Sequence, residues 1–234
     1  VLSTPNTENY GRASKLYTLP TKIDTDFAWL LGLMYGDGSI LRKQNRIVIS
    51  CTSDEPEIMN NAIRVIKNLF NYEAKIYPYK NSKGINLIIF SRHMVDFLTM
   101  NSLDKEKSCE IKVPKLITDS ESSIRMAFLS GYLDADACIC KKNTPRGKLF
   151  TGIRFVSTSF TFIESIKDML PPNVSCFERE VTTRYKDQKH LTIRTESWIL
   201  ISEMLHLSCK IKQLTKELDH QITVFPKHFC KSSS

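Results

Sequence analysis

The 234-residue sequence contains no run of twenty apolar residues, so no segment reads as a helix long enough to cross a bilayer. No charged stretch followed by an apolar one opens the chain, and the expectation is a soluble, intracellular protein without a membrane partner. Seven cysteines are present, none in a C-x-x-C pair. An odd, unpaired set offers neither a zinc ribbon nor a disulfide framework, and reduced thiols are the plain reading. The five histidines show no H-x-x-H or H-E-x-x-H spacing. There is also no Gly-x-x-x-x-Gly-Lys phosphate loop and no G-x-S-x-G elbow. Histidine-metal nucleases, P-loop nucleotide hydrolases and serine hydrolases therefore lack their signatures here.

What the chain does have is positive charge: 33 Lys and Arg against 25 Asp and Glu, a formal net charge of +8. A surplus of this sign points to a polyanionic partner, most simply nucleic acid. The length allows either one larger domain or two compact halves.

Two similar stretches organise the sequence. One is Leu30-Leu31-Gly32-Leu33-Met34-Tyr35-Gly36-Asp37-Gly38, the other Leu129-Ser130-Gly131-Tyr132-Leu133-Asp134-Ala135-Asp136-Ala137. Each carries small residues four apart, Gly32 with Gly36 and Gly131 with Ala135, which on a helix form a flat stripe that another backbone can approach. Each is too short to span a membrane and ends in an acid, so the expected partner of each stripe is the other copy. Each aspartate falls at the negative end of its helix dipole, where a carboxylate is disfavoured. If the helices pack side by side, Asp37 and Asp136 come together, and two adjacent carboxylates ionise readily only with a cation between them. An all-oxygen donor set suits Mg²⁺ facing a phosphate, with Mn²⁺ or Ca²⁺ able to substitute for binding.

The flanking pattern repeats in the same order. After an arm over 1–20, a helix is expected at about 25–36, strands at 39–43 and 46–51, a helix opened by Ser53-Asp54-Glu55-Pro56, strands at 73–79 and 85–90, and a helix at 91–101. Residues 112–120 read as a linker. The second unit follows with a helix at 121–134, strands at 137–142 and 150–157, a helix at 160–170, strands at 174–184 and 190–195, and a helix at 196–206. Asp37 matches Asp136, Thr52-Ser53 matches Thr158-Ser159, and Tyr79-Lys80-x-x-Lys83 matches Tyr185-Lys186-x-x-Lys189. The fold class is therefore α+β, a duplicated α-β-β-α-β-β-α unit related by a pseudo-twofold axis with the two motif helices at the centre. The expected domains are a first half over 21–111, a second half over 121–224 closing with a helix at 209–222, and a flexible tail over 225–234.

Alternation along the strands places His190, Thr192 and Arg194 on one face, with Arg154 and Arg179 on the polar sides of their own strands. Such a face suits the major groove. The hairpin lysines Lys80, Lys83, Lys186 and Lys189 suit phosphate contacts, and Arg42, Lys43, Arg46 and Arg184 complete the set of expected DNA-binding residues.

Both motif stretches resemble the LAGLIDADG motif of the homing endonucleases, and two copies in one chain resemble the monomeric, double-motif branch. Tyr35 replaces the sixth-position acid in the first copy, and Ala137 stands at the last glycine of the second. Both copies keep the eighth-position acid that the family uses for metal. The resemblance implies two antiparallel sheets saddled on a long, asymmetric double-stranded DNA target, cleaved to leave 3′ overhangs. Asp37 and Asp136, with the carbonyls of Gly36 and Ala135, would hold the divalent metals. A basic residue after the last helix of each half would act beside them, and that role is carried to Lys107 and Lys212, with Lys105 and Lys210 as close competitors. The other function open to the same fold is a non-cleaving binder, an intron RNA maturase or a DNA-binding regulator. The first residue is neither Cys nor Ser, so self-splicing is not expected.

Overall fold

The computed structural model describes residues 1–10, 15–105, 110–143, 149–213 and 215. Two four-stranded antiparallel sheets are built from the same plan. In the first half, helix α1 (Thr25–Asp37) leads into β1 (Gly38–Leu41) and β2 (Arg46–Thr52), then α2 (Pro56–Phe70), β3 (Lys75–Pro78), β4 (Gly84–Phe90) and α3 (Arg92–Met100). A short helix α4 (Lys115–Thr118) occupies the expected linker, with Val113 and Ile117 buried. The second half follows with α5 (Ser122–Ala135), β5 (Cys138–Asn143), β6 (Leu149–Ser157), α6 (Phe160–Met169), β7 (Cys176–Thr182), β8 (Asp187–Ile193) and α7 (Trp198–Met204). The strand orders are β1-β2-β4-β3 and β5-β6-β8-β7, so the halves share one topology. Residues 209–213 and 215 are helical, which begins the expected closing helix. Its remainder and the expected tail lie outside the described residues.

The motif helices sit at the centre because they are apolar all round. Every residue of α1 from Phe27 to Tyr35 is buried, as is every residue of α5 from Met126 to Asp134. A helix without a polar face must be covered on all sides. By contrast α2 buries one stripe, Ile58, Ala62, Val65, Ile66 and Phe70, and leaves the opposite face in solvent. Caps set the boundaries: Asp24 accepts from the Phe27 amide at 2.8 Å, Ser91 from Met94 at 3.2 Å, and Ser159 from Phe162 at 3.4 Å. The α2 terminus at Asn71 and the β3–β4 turn at Asn81 use left-handed backbone, φ 48° and 61°, which asparagine tolerates better than most side chains.

The two motif helices pack backbone to backbone. A β-carbon on Gly32 would strike the Phe128 carbonyl oxygen, one on Gly131 the Trp29 carbonyl oxygen, and one on Gly36 the Ala135 β-carbon. The small-residue stripes thus meet each other, and both halves share one continuous hydrophobic core.

Each sheet turns one face to this core. In the first, Ile47 pairs with Ile89 and Ile49 with Leu87, all buried. In the second, Ile153 pairs with Ile193 and Phe155 with Leu191. The opposite face of the first sheet carries Arg46, Ser50, Lys75 and Asn86 beside the buried Val48 and Ile88. Residues 1–10 are tied to the first half: the Leu2 amide donates to the Thr21 carbonyl, the Ser3 amide to Asn101 Oδ1, and the Tyr10 hydroxyl to Asp96 at 2.8 Å.

Candidate metal centre and nucleic-acid interface

The close approach of α1 and α5 places their C-terminal ends side by side. Asp37 is the last residue of α1 and Asp136 caps α5, its amide donating to the Tyr132 carbonyl at 3.0 Å. At this point a β-carbon on Gly36 would lie only 3.2 Å from the Asp136 amide nitrogen. Both carboxylates reach solvent. Even so, the protein around Asp37 raises its carboxyl above the usual range, first by partial burial and then by the charge on Asp136, with Lys210 and Lys105 opposing.

Two lysines complete the arrangement symmetrically. Lys105 Nζ donates to the Gly36 carbonyl at 2.6 Å and approaches the Gly38 carbonyl at 3.4 Å. Lys210 Nζ donates to the Ala135 carbonyl at 3.2 Å and approaches that of Ala137 at 3.4 Å. Burial holds the Lys105 ammonium below the usual lysine range, with Asp136 and Asp37 pulling the other way. These are the competitors of the residues named from sequence. Lys212 is exposed on the closing helix, and Lys107 lies outside the described residues.

Glu55 is the feature sequence reasoning passed over. It precedes α2, lies 3.9 Å from Lys210 Nζ, and lines a cavity beside the motif ends together with Asp37, Ser50, Cys51, Thr52 and Asp134. Burial, followed by the charges of Asp37 and Glu55, pushes the Cys51 thiol up to about 12. The all-oxygen donor set of Asp37, Asp136 and the adjoining carbonyls fits a hard divalent cation, because such a charge offsets both the partial burial of Asp37 and its repulsion by Asp136. Among the described residues no three His, Cys, Asp or Glu side chains converge as a metal cage. Two carboxylates completed by substrate phosphates and water are what Mg²⁺ ordinarily takes.

The other candidate residues lie on the two sheets and their turns. In the second sheet Arg154 pairs in register with Thr192 and Arg179 with His190, so alternation placed these four on one face. Arg194 lies over the Phe177 ring at 5.3 Å. Partial burial and the neighbouring Arg154 and Arg179 hold His190 below the usual histidine range. Thr192 is on this face but buried, 3 % exposed, so it is not an accessible reader in the free protein. In the first sheet, Arg46 pairs with Phe90, and Lys75 Nζ lies 5.6 Å over the Phe90 ring. Lys43, Lys80 and Lys186 are exposed in turns, Lys83 pairs with Asp54 at 2.8 Å, and Arg184 stacks on Tyr185. Arg42 is exposed but ion-paired to Asp104.

Lys189 requires a correction. It shares strand parity with Leu191 and Ile193, so its side chain turns to the helix side and pairs with Glu164 at 2.8 Å and Glu178 at 2.7 Å. The turn occupies residues before β8, and Lys189 is already inside the strand. It is a structural cation rather than a phosphate contact.

Comparison with known proteins agrees with this architecture. The LAGLIDADG-like domain model matches residues 24–100 and again 123–201. No curated protein matches the sequence. Among solved structures, the homing endonuclease I-DmoI in complex with DNA and Ca is 19% identical, with a TM-score of 0.58 over 82% of this chain and 97% of that one. The I-LtrWI LAGLIDADG homing endonuclease bound to target DNA is 12% identical, with a TM-score of 0.52 over 85% of this chain and 90% of its own. Full-length DUF199/WhiA from Thermatoga maritima is 12% identical, with a TM-score of 0.55 over 84% of this chain and 60% of that one. At these identities the likeness is one of fold. With two family-model matches that together span more than half of its length, the chain belongs to the LAGLIDADG-like domain family and carries two copies of the domain.

Proposed function

We propose that this protein is a site-specific endonuclease that cuts both strands of a long, asymmetric DNA target and leaves 3′ overhangs. The observation that carries the reading is the meeting of Asp37 and Asp136, each with a lysine on the adjoining carbonyls, in a chain built on two four-stranded sheets. Asp37 and Asp136, with the carbonyls of Gly36 and Ala135, would hold divalent ions. When bound, such ions lower the pKa of water and stabilise the charge on the departing 3′-oxygen. Lys105 and Lys210 stand beside these oxygens as compact charges, able to screen the phosphate as negative charge gathers on it. Partial burial of Lys105 strengthens its action on a nearby charge, because less solvent screens it. Arg154, Arg179, Arg194 and His190 on the second sheet, with Arg42, Lys43, Arg46 and Lys80 on the first half, would hold the duplex and read base edges. The protein is read as acting alone, since one chain supplies both halves of the centre.

The test is a cleavage screen of a randomised duplex library with Mg²⁺ and a metal-free control, sequencing the released ends. Discrete cut sites with 3′ overhangs that vanish without metal support the reading. Salt-sensitive binding with no cleavage would replace it with the non-cleaving binder, for which RNA is the next ligand to try.

A further inference from the structure

The sixth position of the motif differs between the halves, and the structure gives the two residues one task. Asp134 is buried, 2 % exposed. Its carboxylate accepts from Ser208 Oγ at 2.6 Å, the Cys209 amide at 3.0 Å, the Lys210 amide at 3.1 Å and Trp29 Nε1 at 3.0 Å. Ser208 Oγ in turn accepts from the Ile211 amide at 3.2 Å, which starts the closing helix. The segment that carries Lys210 is therefore held to the motif helix by its own backbone. In the other half Tyr35, 3 % exposed, lies against the rings of Phe128 and Phe162, and its hydroxyl donates to the Asp104 carbonyl at 3.5 Å. Lys105 is the next residue. The Asp104 carboxylate is tied to Arg42, on the turn between β1 and β2.

We infer that Asp134 and Tyr35 are the positioning residues for Lys210 and Lys105, and that their different chemistry makes the two halves of the centre unequal. A charged carboxylate filled by four donors holds its segment firmly, because hydrogen bonds to an ionised acceptor are about twice as strong as neutral ones. The Tyr35 phenol's bond to the Asp104 carbonyl is neutral and 3.5 Å long, weaker than each of those four, and the Arg42 pair adds a link that runs through an exposed side chain. The inference rests on the proposed role of the lysines in strand cutting. Its direct consequence is that each clamp serves one strand.

The experiment uses the full chain on its selected duplex, each strand labelled separately, under single-turnover conditions with Mg²⁺. Lys210→Met and Lys105→Met identify the strand each lysine serves. Asp134→Asn keeps the side chain's shape but turns an amide N–H₂ toward groups that are all donors. It is expected to slow the Lys210 strand by about tenfold or more, since small misplacements near a reacting centre are costly, and the other strand by less than about threefold. Added to Lys210→Met it should slow that strand no further. Tyr35→Phe should slow the Lys105 strand by only about two- to threefold, since its bond to the Asp104 carbonyl is neutral and long. Ser208→Ala, a milder change, should reproduce the Asp134→Asn strand bias in weaker form. Equal slowing of both strands, or slowing that adds to Lys210→Met, overturns the assignment. Amide hydrogen exchange on the free protein without metal or DNA reads the clamp separately. In Asp134→Asn, faster exchange confined to 208–211 supports it, and unchanged exchange there overturns it, whether or not the protein cuts DNA. If exchange changes as expected while the unaltered protein cuts nothing, the clamp stands and the nuclease reading falls.

Discussion

Asparagine at position 136 keeps the side chain's size and removes its charge, so a divalent ion there would lose a hard anionic ligand while the two sheets are untouched. Asp136→Asn is expected to slow cleavage by about a hundred- to a thousandfold, the range for removing one group that stabilises developing charge. Mobility-shift binding in Ca²⁺ should remain close to that of the unaltered protein; normal cutting by the variant would remove Asp136 from the centre. Lys189 makes the opposite kind of prediction, one about stability. Its side chain is only 9 % exposed and holds Glu178 and Glu164. Lys189→Met leaves Glu178 with one cationic partner fewer, at a cost of about 1–3 kcal/mol in denaturant unfolding at neutral pH. Hydrogen bonds from Lys167 and Lys189 hold the Glu178 carboxyl below the usual range. A depressed carboxyl contributes stability above its unfolded pKa, about 4.3, and loses it as pH falls through the folded value. The gap between variant and unaltered protein should therefore shrink as pH drops below about 4.

At the scale of elements, the α1–α5 contact is the joint on which both halves depend. Alanine would raise helix propensity at Gly131, yet its β-carbon would meet the Trp29 carbonyl. The helices would have to part, so Gly131→Ala is expected to destabilise by about 2–4 kcal/mol or more, at or above the usual cost of overpacking because the obstacle is backbone. Thermal unfolding checks it, and a neutral or stabilising result would mean the helices are not in this contact. The separation should also weaken cleavage in the variant under conditions where it remains folded, because Asp37 and Asp136 are carried at the ends of these helices.

For the whole molecule, binding of cations and DNA should be visible without any cut. Holding two carboxylates together costs the free protein, so Ca²⁺ should raise the melting temperature. A hundredfold excess over Kd corresponds to about 2.7 kcal/mol, and the increase should disappear in the Asp37→Asn/Asp136→Asn double variant. With a net charge of +8, binding to DNA under the proposed reading is expected to weaken steeply with salt. Arg179→Ala is expected to lower the slope of log K against log salt by about one unit if it contacts a phosphate, and to change sequence preference if it reads a base.

Much of this was legible in the chain itself because it depends on local period. Small residues four apart predicted the α1–α5 contact at Gly32, Gly36, Gly131 and Ala135. Apolar alternation placed Arg154, Arg179 and His190 on the polar sides of their own strands, which the sheet register joins on one face, and recurrence of the landmarks predicted two halves of one topology. What periodicity could not decide was reach. Each half offers lysines two residues apart, Lys105 with Lys107 and Lys210 with Lys212, and sequence spacing does not distinguish them. The path of the chain after α7 sets Lys210 on the Ala135 carbonyl and leaves Lys212 exposed, and the path after α3 sets Lys105 on the Gly36 carbonyl, while Lys107 lies outside the described residues. The same limit applied at Lys189, where the strand begins a few residues earlier than expected and holds a lysine that the sequence reading set in the turn. Local pattern determined which helices meet and which aspartates they bring together. Only the tertiary structure decided which charges lie beside them, because that depends on where distant segments are anchored.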